Sequence, residues 1–130
     1  MAKSLDNSLY KNYMLKSEEM LAVARHAAET FKNNVAVVTS IHCAIDAFDA
    51  LTIFYSGRRN SGNHEESLSA IKGAMSESEI EDVAKQFGGL MELKNRAEYQ
   101  PDLMGARDAS EAVKRASRII LKVKLKLPTT

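Results

Sequence analysis

Apolar residues recur at three- and four-residue steps along most of the chain, a pattern that predicts helices rather than strands. The first stripe predicts a helix over residues 5–31 and consists of Tyr10, Tyr13, Met20, Leu21, Ala24, Ala28 and Phe31. Asn33 and Asn34 then predict a break and a cap. The next segment, residues 35–55, is apolar on nearly all sides, which indicates a buried central helix.

Glycine and asparagine residues follow this central helix. Gly57 suits its C-cap, and residues 57–62 predict an exposed loop. Asn63 with Glu66 resembles a capping box, which predicts a short helix running toward Met75.

A second capping-box pattern, Ser76 with Glu79, predicts the start of a long helix that ends near Gln100. Gly88 and Gly89 interrupt its apolar face and predict either a bend or the close approach of a neighbouring backbone, of which we favour close packing.

The last helix begins around Gly105, after the break at Pro101. Residues 121–127 alternate between apolar and basic, as in a strand, but a lone strand has no partner, so we interpret them as the end of a helix that frays over residues 124–130. The sequence therefore predicts one all-α domain over residues 1–130, an up-and-down bundle of four long helices plus one short helix.

Composition and charge limit the classes of protein to which this chain can belong. The chain has 130 residues, one cysteine and a net charge of +1, which suits a single globular domain without an internal disulfide. No apolar run approaches the roughly 18 residues of a membrane span, and the N-terminus lacks the apolar stretch of a secretory signal. We therefore expect a cytoplasmic protein without membrane contact, and we expect Cys43 to be a core residue rather than a nucleophile.

Basic residues are concentrated in the last helix. From residue 107 onward only Asp108 and Glu111 oppose seven basic residues, Arg107, Lys114, Arg115, Arg118, Lys122, Lys124 and Lys126. Four of them follow helical spacing along one face and can form a phosphate-attracting stripe: Arg115, Arg118, Lys122 and Lys126. We favour a solvated outer face instead, because no aromatic residue that would stack a base accompanies them.

His42, Asp46 and Asp49 fall at helical spacing on the otherwise apolar second helix. They can form a metal or catalytic site, or one of the carboxylates can pair with Arg96 or another base. We favour pairing, because buried charges are normally paired and three ligands make a weak zinc site. We therefore expect neither a metal nor a cofactor.

An arginine is followed after four residues by a histidine at Arg59 and His64. This spacing also arises by chance, and the pair lies in the expected loop, so we favour a solvated loop over a catalytic pair.

Several short motifs together resemble the HEPN family (higher eukaryotes and prokaryotes nucleotide-binding domain). They are residues 15–20 and 27–28, residues 40–47, Asn63 and His64, residues 94–99 with the sequence Lys-Asn-Arg-Ala-Glu-Tyr, and Glu111, Ala112 and Ala116. The resemblance covers residues 9–121. It implies a helical bundle, commonly a homodimer, that cleaves RNA or accompanies a minimal nucleotidyltransferase, as in toxin–antitoxin pairs.

The resemblance places functional residues at Arg96 and Tyr99, where they would contact a phosphate or a base. The alternative, to which we give equal weight, is structural: Arg96 forms an ion pair with an acid and Tyr99 packs at the helix end. In the family's ribonucleases four to six residues separate this arginine from a histidine, but here the positions after such a gap hold Pro101, Asp102 and Leu103. We therefore expect a protein that binds a nucleotide, RNA or a protein partner, as in a toxin–antitoxin pair, without efficient catalysis. A metal-independent endoribonuclease and a nucleotidyltransferase partner subunit remain the alternatives.

Overall fold

The computed structural model describes residues 6–59 and 68–128. Over these ranges the chain is helical and contains no strand, so the predicted all-α bundle is confirmed. A 3-10 turn, Asn7–Leu9, leads into four long helices, α1 Tyr10–Glu29, α2 Asn33–Ser56, α3 Glu77–Tyr99 and α4 Ala106–Leu125.

The central position predicted for the second helix is confirmed by the burial of α2 and its packing against the other three long helices. Its buried residues lie on most sides of the helix, and Phe48 meets Phe87 of α3 edge to face at 4.9 Å between ring centroids. By length and composition α2 is the one described helix that also meets the requirements for crossing a membrane, although 67% of its most apolar window is buried in the bundle. The expected absence of a membrane therefore stays a prediction.

The turn between α1 and α2 has the predicted length of three residues but lies two residues earlier in the chain than the sequence predicts. α1 ends at Glu29, and Phe31 turns the chain with a positive φ of 62°. Asn33 already lies inside α2, whose N-cap position, Lys32, has no side-chain cap. The side chain of Asn34 instead accepts a hydrogen bond from the backbone N–H of Met104 (3.0 Å), which ties this turn to the connection between α3 and α4.

The end of α2 agrees with the sequence, because Gly57 adopts the left-handed conformation (φ 68°) at the C-cap. Asn63 and Glu66, the predicted start of the short helix, lie outside the described residues. Residues 68–70 are helical, and Ile71 and Met75 are buried against the bundle.

The predicted capping box of α3 is confirmed. Ser76 accepts from the backbone N–H of Glu79, and the Glu79 carboxylate accepts from the N–H of Ser76. Lys126, just after α4, forms an ion pair with the same carboxylate (2.8 Å). The start of α3 and the end of α4 therefore lie together, as two antiparallel helices require.

The alternating C-terminal segment is helical through Leu125. Val123 and Leu127 are buried, whereas Leu121 and Leu125 face outward. The apolar residues of the alternation therefore lie on two sides of the helix, and only Val123 and Leu127 face the core. Fraying from residue 124 stays a prediction, and the burial of Leu127 argues against it.

Candidate functional site

A groove of about 580 Å³ runs between α3 and α4. Its lining is polar, without an aromatic residue, and consists of Lys85, Gln86, Arg107, Ser110, Glu111, Lys114, Arg115 and Arg118. Five of these side chains are basic and one is acidic. α4 contributes most of them, because positions 107, 111, 114, 115 and 118 lie on neighbouring faces of one helix.

Arg115 forms the fixed part of this groove. Its Nε and Nη2 donate to the Glu111 carboxylate (3.1 and 2.9 Å), and its Nη1 donates to the backbone carbonyl of Lys85 (3.1 Å). Gln86 accepts a longer bond from the same nitrogen (3.4 Å). The guanidinium group thus links α4 to α3 and neutralises the one acid of the groove.

The other four basic residues of the groove, Lys85, Arg107, Lys114 and Arg118, are exposed. Among the described parts of the chain, none of these four side chains forms a hydrogen bond or an ion pair. Their charges are therefore available to a bound anion.

The predicted basic stripe is only partly in the groove. Arg115 and Arg118 line it, whereas Lys126 is paired with Glu79 and Lys122 is half-buried outside the groove lining. The sequence did not single out Lys85 or Arg107 as site residues. Arg107 belongs to the basic run of α4, but Lys85 joins the groove only because α3 packs beside α4.

Arg96 and Tyr99 lie at the end of α3. Arg96 forms a two-pronged ion pair with Asp108 (3.1 and 3.4 Å), whose carboxylate also accepts from the backbone N–H of Gly105 at the start of α4. These contacts, the Gly105 bond first, lower the pKa of Asp108. Tyr99 is 79% exposed and is not part of the groove lining.

His42, Asp46 and Asp49 have different surroundings and, within the described residues, do not form a set of metal ligands. Asp49 is buried and pairs with Arg59 (3.3 Å) rather than with Arg96. Asp46 is half-buried, and desolvation, followed by the nearby Asp49 charge, raises its pKa. His42 is exposed and faces a small hollow between α2 and α3.

His64, the second residue of the predicted Arg59–His64 pair, lies outside the described residues. Arg59 itself is held by Asp49 and lies over the ring of Tyr13 (5.2 Å to the centroid). The Arg59–His64 pair therefore stays a prediction.

Cys43 lies in the core, and burial raises the pKa of its thiol to about 11. In residues 6–59 and 68–128, no three histidine, cysteine or acidic side chains come together in a way that would hold a metal ion.

No protein-family model matches the chain, and no curated protein matches it significantly. The HEPN resemblance therefore stays a prediction, carried by the motifs and compatible with the helical bundle.

Proposed function

We propose that this protein binds RNA through the basic groove between α3 and α4. The observation that carries the proposal is the set of four exposed basic side chains, Lys85, Arg107, Lys114 and Arg118, gathered around one acid that is already neutralised by Arg115. A polyanion that enters this groove meets four uncompensated positive charges.

The chemistry of the groove fits a phosphate backbone better than a small apolar ligand. Lysine and arginine side chains bind phosphates and release the counterions condensed on the nucleic acid, which drives binding without reading the sequence. The part of α4 from Arg107 to Arg118 covers 11 residue steps, about 16 Å of helix at ~1.5 Å per residue. That length suits a chain of several phosphates rather than one.

Two features distinguish this surface from the ordinary solvated face that the sequence favours. Lys85 comes from a second helix, so the basic residues lie on both walls of a groove rather than along one convex ridge. Arg115 forms hydrogen bonds with residues of both helices. Its side chain is therefore already ordered and loses no further conformational freedom when a ligand binds.

We propose binding without efficient catalysis. No histidine of residues 6–59 and 68–128 lines the groove, and the guanidinium groups of Arg96 and Arg59 are each engaged by a carboxylate. The endoribonuclease and the partnership with a nucleotidyltransferase both stay predictions.

Fluorescence anisotropy with a labelled RNA tests the proposal. Binding to four phosphates gives a slope of log K against log salt of about −2.8 for single strands, since each contact contributes ~0.7. The double variant Lys114→Gln/Arg118→Gln is expected to halve that slope and weaken binding.

The matched control is Lys11→Gln/Lys72→Gln, which removes the same number of exposed charges from residues that do not line the groove. Equal weakening by both double variants would show nonspecific attraction and refute the groove as the site.

We also propose that the chain forms a homodimer, as the resemblance implies. The surface that supports it is the hollow between α2 and α3, where apolar Val38, Ile41, Ile45 and Ala97 are flanked by His42 and the Lys94–Glu98 ion pair. A two-fold contact through this surface buries apolar side chains, and the paired charges avoid like-charge repulsion.

A further inference from the structure

A second hollow adjoins the groove on the opposite side of α4. It has a volume of about 280 Å³, lies between α1 and α4, and is lined by Arg25, Ala28, Glu29, Ala106, Ser110 and Val113. Ser110 lines both the hollow and the basic groove. A ligand in the groove can therefore extend into the hollow by crossing the outer face of α4 at this serine.

The hollow differs from the groove in its chemistry. Its floor consists of small apolar side chains, Ala28, Ala106 and Val113, and its two charges, Arg25 and Glu29, are of opposite sign. It therefore offers no net attraction for a phosphate. A flat apolar floor with one donor group and one acceptor group suits a nucleobase instead.

Arg25 and Glu29 are one turn apart on α1 but do not form an ion pair. Arg25, which lines the hollow, donates to the hydroxyl of Ser117 on α4 (3.3 Å), and most of its donors are unused. Among the described residues, the Glu29 carboxylate has no bond. Both groups can therefore turn to the edge of a ligand.

The position of Glu29 is not explained by stability. It is the last residue of α1, where the helix dipole disfavours a negative charge. Because no described group binds the Glu29 carboxylate, it is available to accept a hydrogen bond from a ligand in the hollow.

We propose that this hollow binds one unpaired base of a single-stranded RNA whose phosphates lie in the basic groove, and that Glu29 selects bases with an exocyclic amino group. This inference rests on the proposed function. A carboxylate accepts from the amino group of cytosine, whereas uracil presents a carbonyl oxygen at the same place and is repelled.

Fluorescence anisotropy with two single-stranded oligomers of equal length, one of cytidylate and one of uridylate, tests the inference at neutral pH. The protein is expected to bind the cytidylate oligomer about fivefold more tightly, the effect of one hydrogen bond. Glu29→Ala is expected to abolish the preference by weakening cytidylate binding.

The direction in which Glu29→Ala changes the affinity for cytidylate distinguishes a hydrogen bond from a general electrostatic effect. Removal of a negative charge near a polyanion tightens binding, so Glu19→Ala, an exposed acid elsewhere on α1, is expected to tighten both oligomers slightly. Alanine is also the better helix former, so unfolding does not account for a loss of binding by Glu29→Ala.

Three outcomes overturn the inference. The first is equal affinity of the protein for the two oligomers. The second is a Glu29→Ala variant that binds both oligomers more tightly, as Glu19→Ala is expected to do. In both cases salt-dependent binding through the groove still stands. The absence of binding to either oligomer overturns the groove proposal together with this one.

Discussion

The guanidinium group of Arg115 occupies the space that a side chain on Gly89 would fill. A Cβ atom built on Gly89 overlaps the Cζ, Nε and Nη1 atoms of Arg115, whereas one built on the adjacent Gly88 meets nothing within 4 Å. The close approach predicted from the two glycines is therefore real at Gly89, but the group that approaches is a side chain and not a backbone. The absence of a side chain at Gly89 allows Arg115 to reach the carbonyl of Lys85.

The two glycines give a matched pair of substitutions. Gly88→Ala is expected to raise the free energy of unfolding by about 1 kcal/mol, because alanine favours the helix and nothing obstructs it. Gly89→Ala gains the same preference but displaces Arg115 from its bonds to α3, each worth about 1 kcal/mol, so no net gain is expected. Urea unfolding measures both changes, and an equal rise in the two variants would contradict the contact.

Glu79 makes stability depend on acid pH. The hydrogen bond from Lys126, followed by the bond from the Ser76 backbone, lowers the pKa of this carboxyl from 4.5 to about 2. Because the folded state holds the charged form, the stabilisation is complete above the unfolded pKa of 4.5 and is lost as pH falls toward 2. Glu79→Gln is expected to be less stable at neutral pH and to lose less of its stability on acidification.

Urea midpoints measured between pH 6 and pH 2 check this dependence. Glu77→Gln is the control, since Glu77 is an exposed acid in the same helical turn and has no bond with the rest of the described chain. If both variants follow the same pH curve, Glu79 is not the group responsible.

The features of the fold that depend on local chemistry could be predicted from the sequence. Ser76 and Glu79 cap α3, and Gly57 ends α2, because each of these structures needs only residues a few positions apart. The α1–α2 turn could not be predicted in the same way. Phe31 takes a backbone conformation that bulky residues rarely adopt, and Asn34 is used for a contact with Met104, 70 residues away, rather than as a cap.

The candidate site depends even more on tertiary packing. The basic stripe that includes Arg115 and Arg118 could be predicted from helical spacing. The position of Lys85 opposite them and the ion pair between Lys126 and Glu79 could not, because both depend on how α3 packs against α4. The partner of Asp49 was equally hidden, because the sequence offers many bases and only the fold selects Arg59.

Arg96 provides a test of the endoribonuclease alternative. We expect labelled RNA to stay intact with the wild-type protein in the presence of a chelator, and Arg96→Ala to behave the same way. The lost ion pair with Asp108 involves a guanidinium that is 45% exposed, so the variant should lose less than about 1 kcal/mol and remain folded. Chelator-resistant cleavage that disappears in Arg96→Ala or His64→Ala would instead establish a ribonuclease.

Cys43 is expected to be unreactive in the folded protein. Burial, which raises the pKa of the thiol to about 11, leaves almost no thiolate at pH 8, and its side chain is fully enclosed. A reagent whose absorbance changes when it reacts with a thiol is therefore expected to show no reaction with the folded protein. After urea unfolds the chain, it is expected to detect one thiol per chain. Rapid reaction under native conditions would show that α1 and α2 separate readily at Ser17, whose hydroxyl donates to the Cys43 carbonyl.

Val38 tests the proposed homodimer. It is 46% exposed and lines the hollow between α2 and α3, so Val38→Glu places a charge in the centre of the proposed contact. The wild-type protein is expected to have the mass of two chains by light scattering, and the variant the mass of one. Val23→Glu is the control, because Val23 is equally exposed (49%) but lies on α1, outside that hollow. A wild-type mass of one chain, or the same loss of mass in both variants, would refute this surface as the dimer contact.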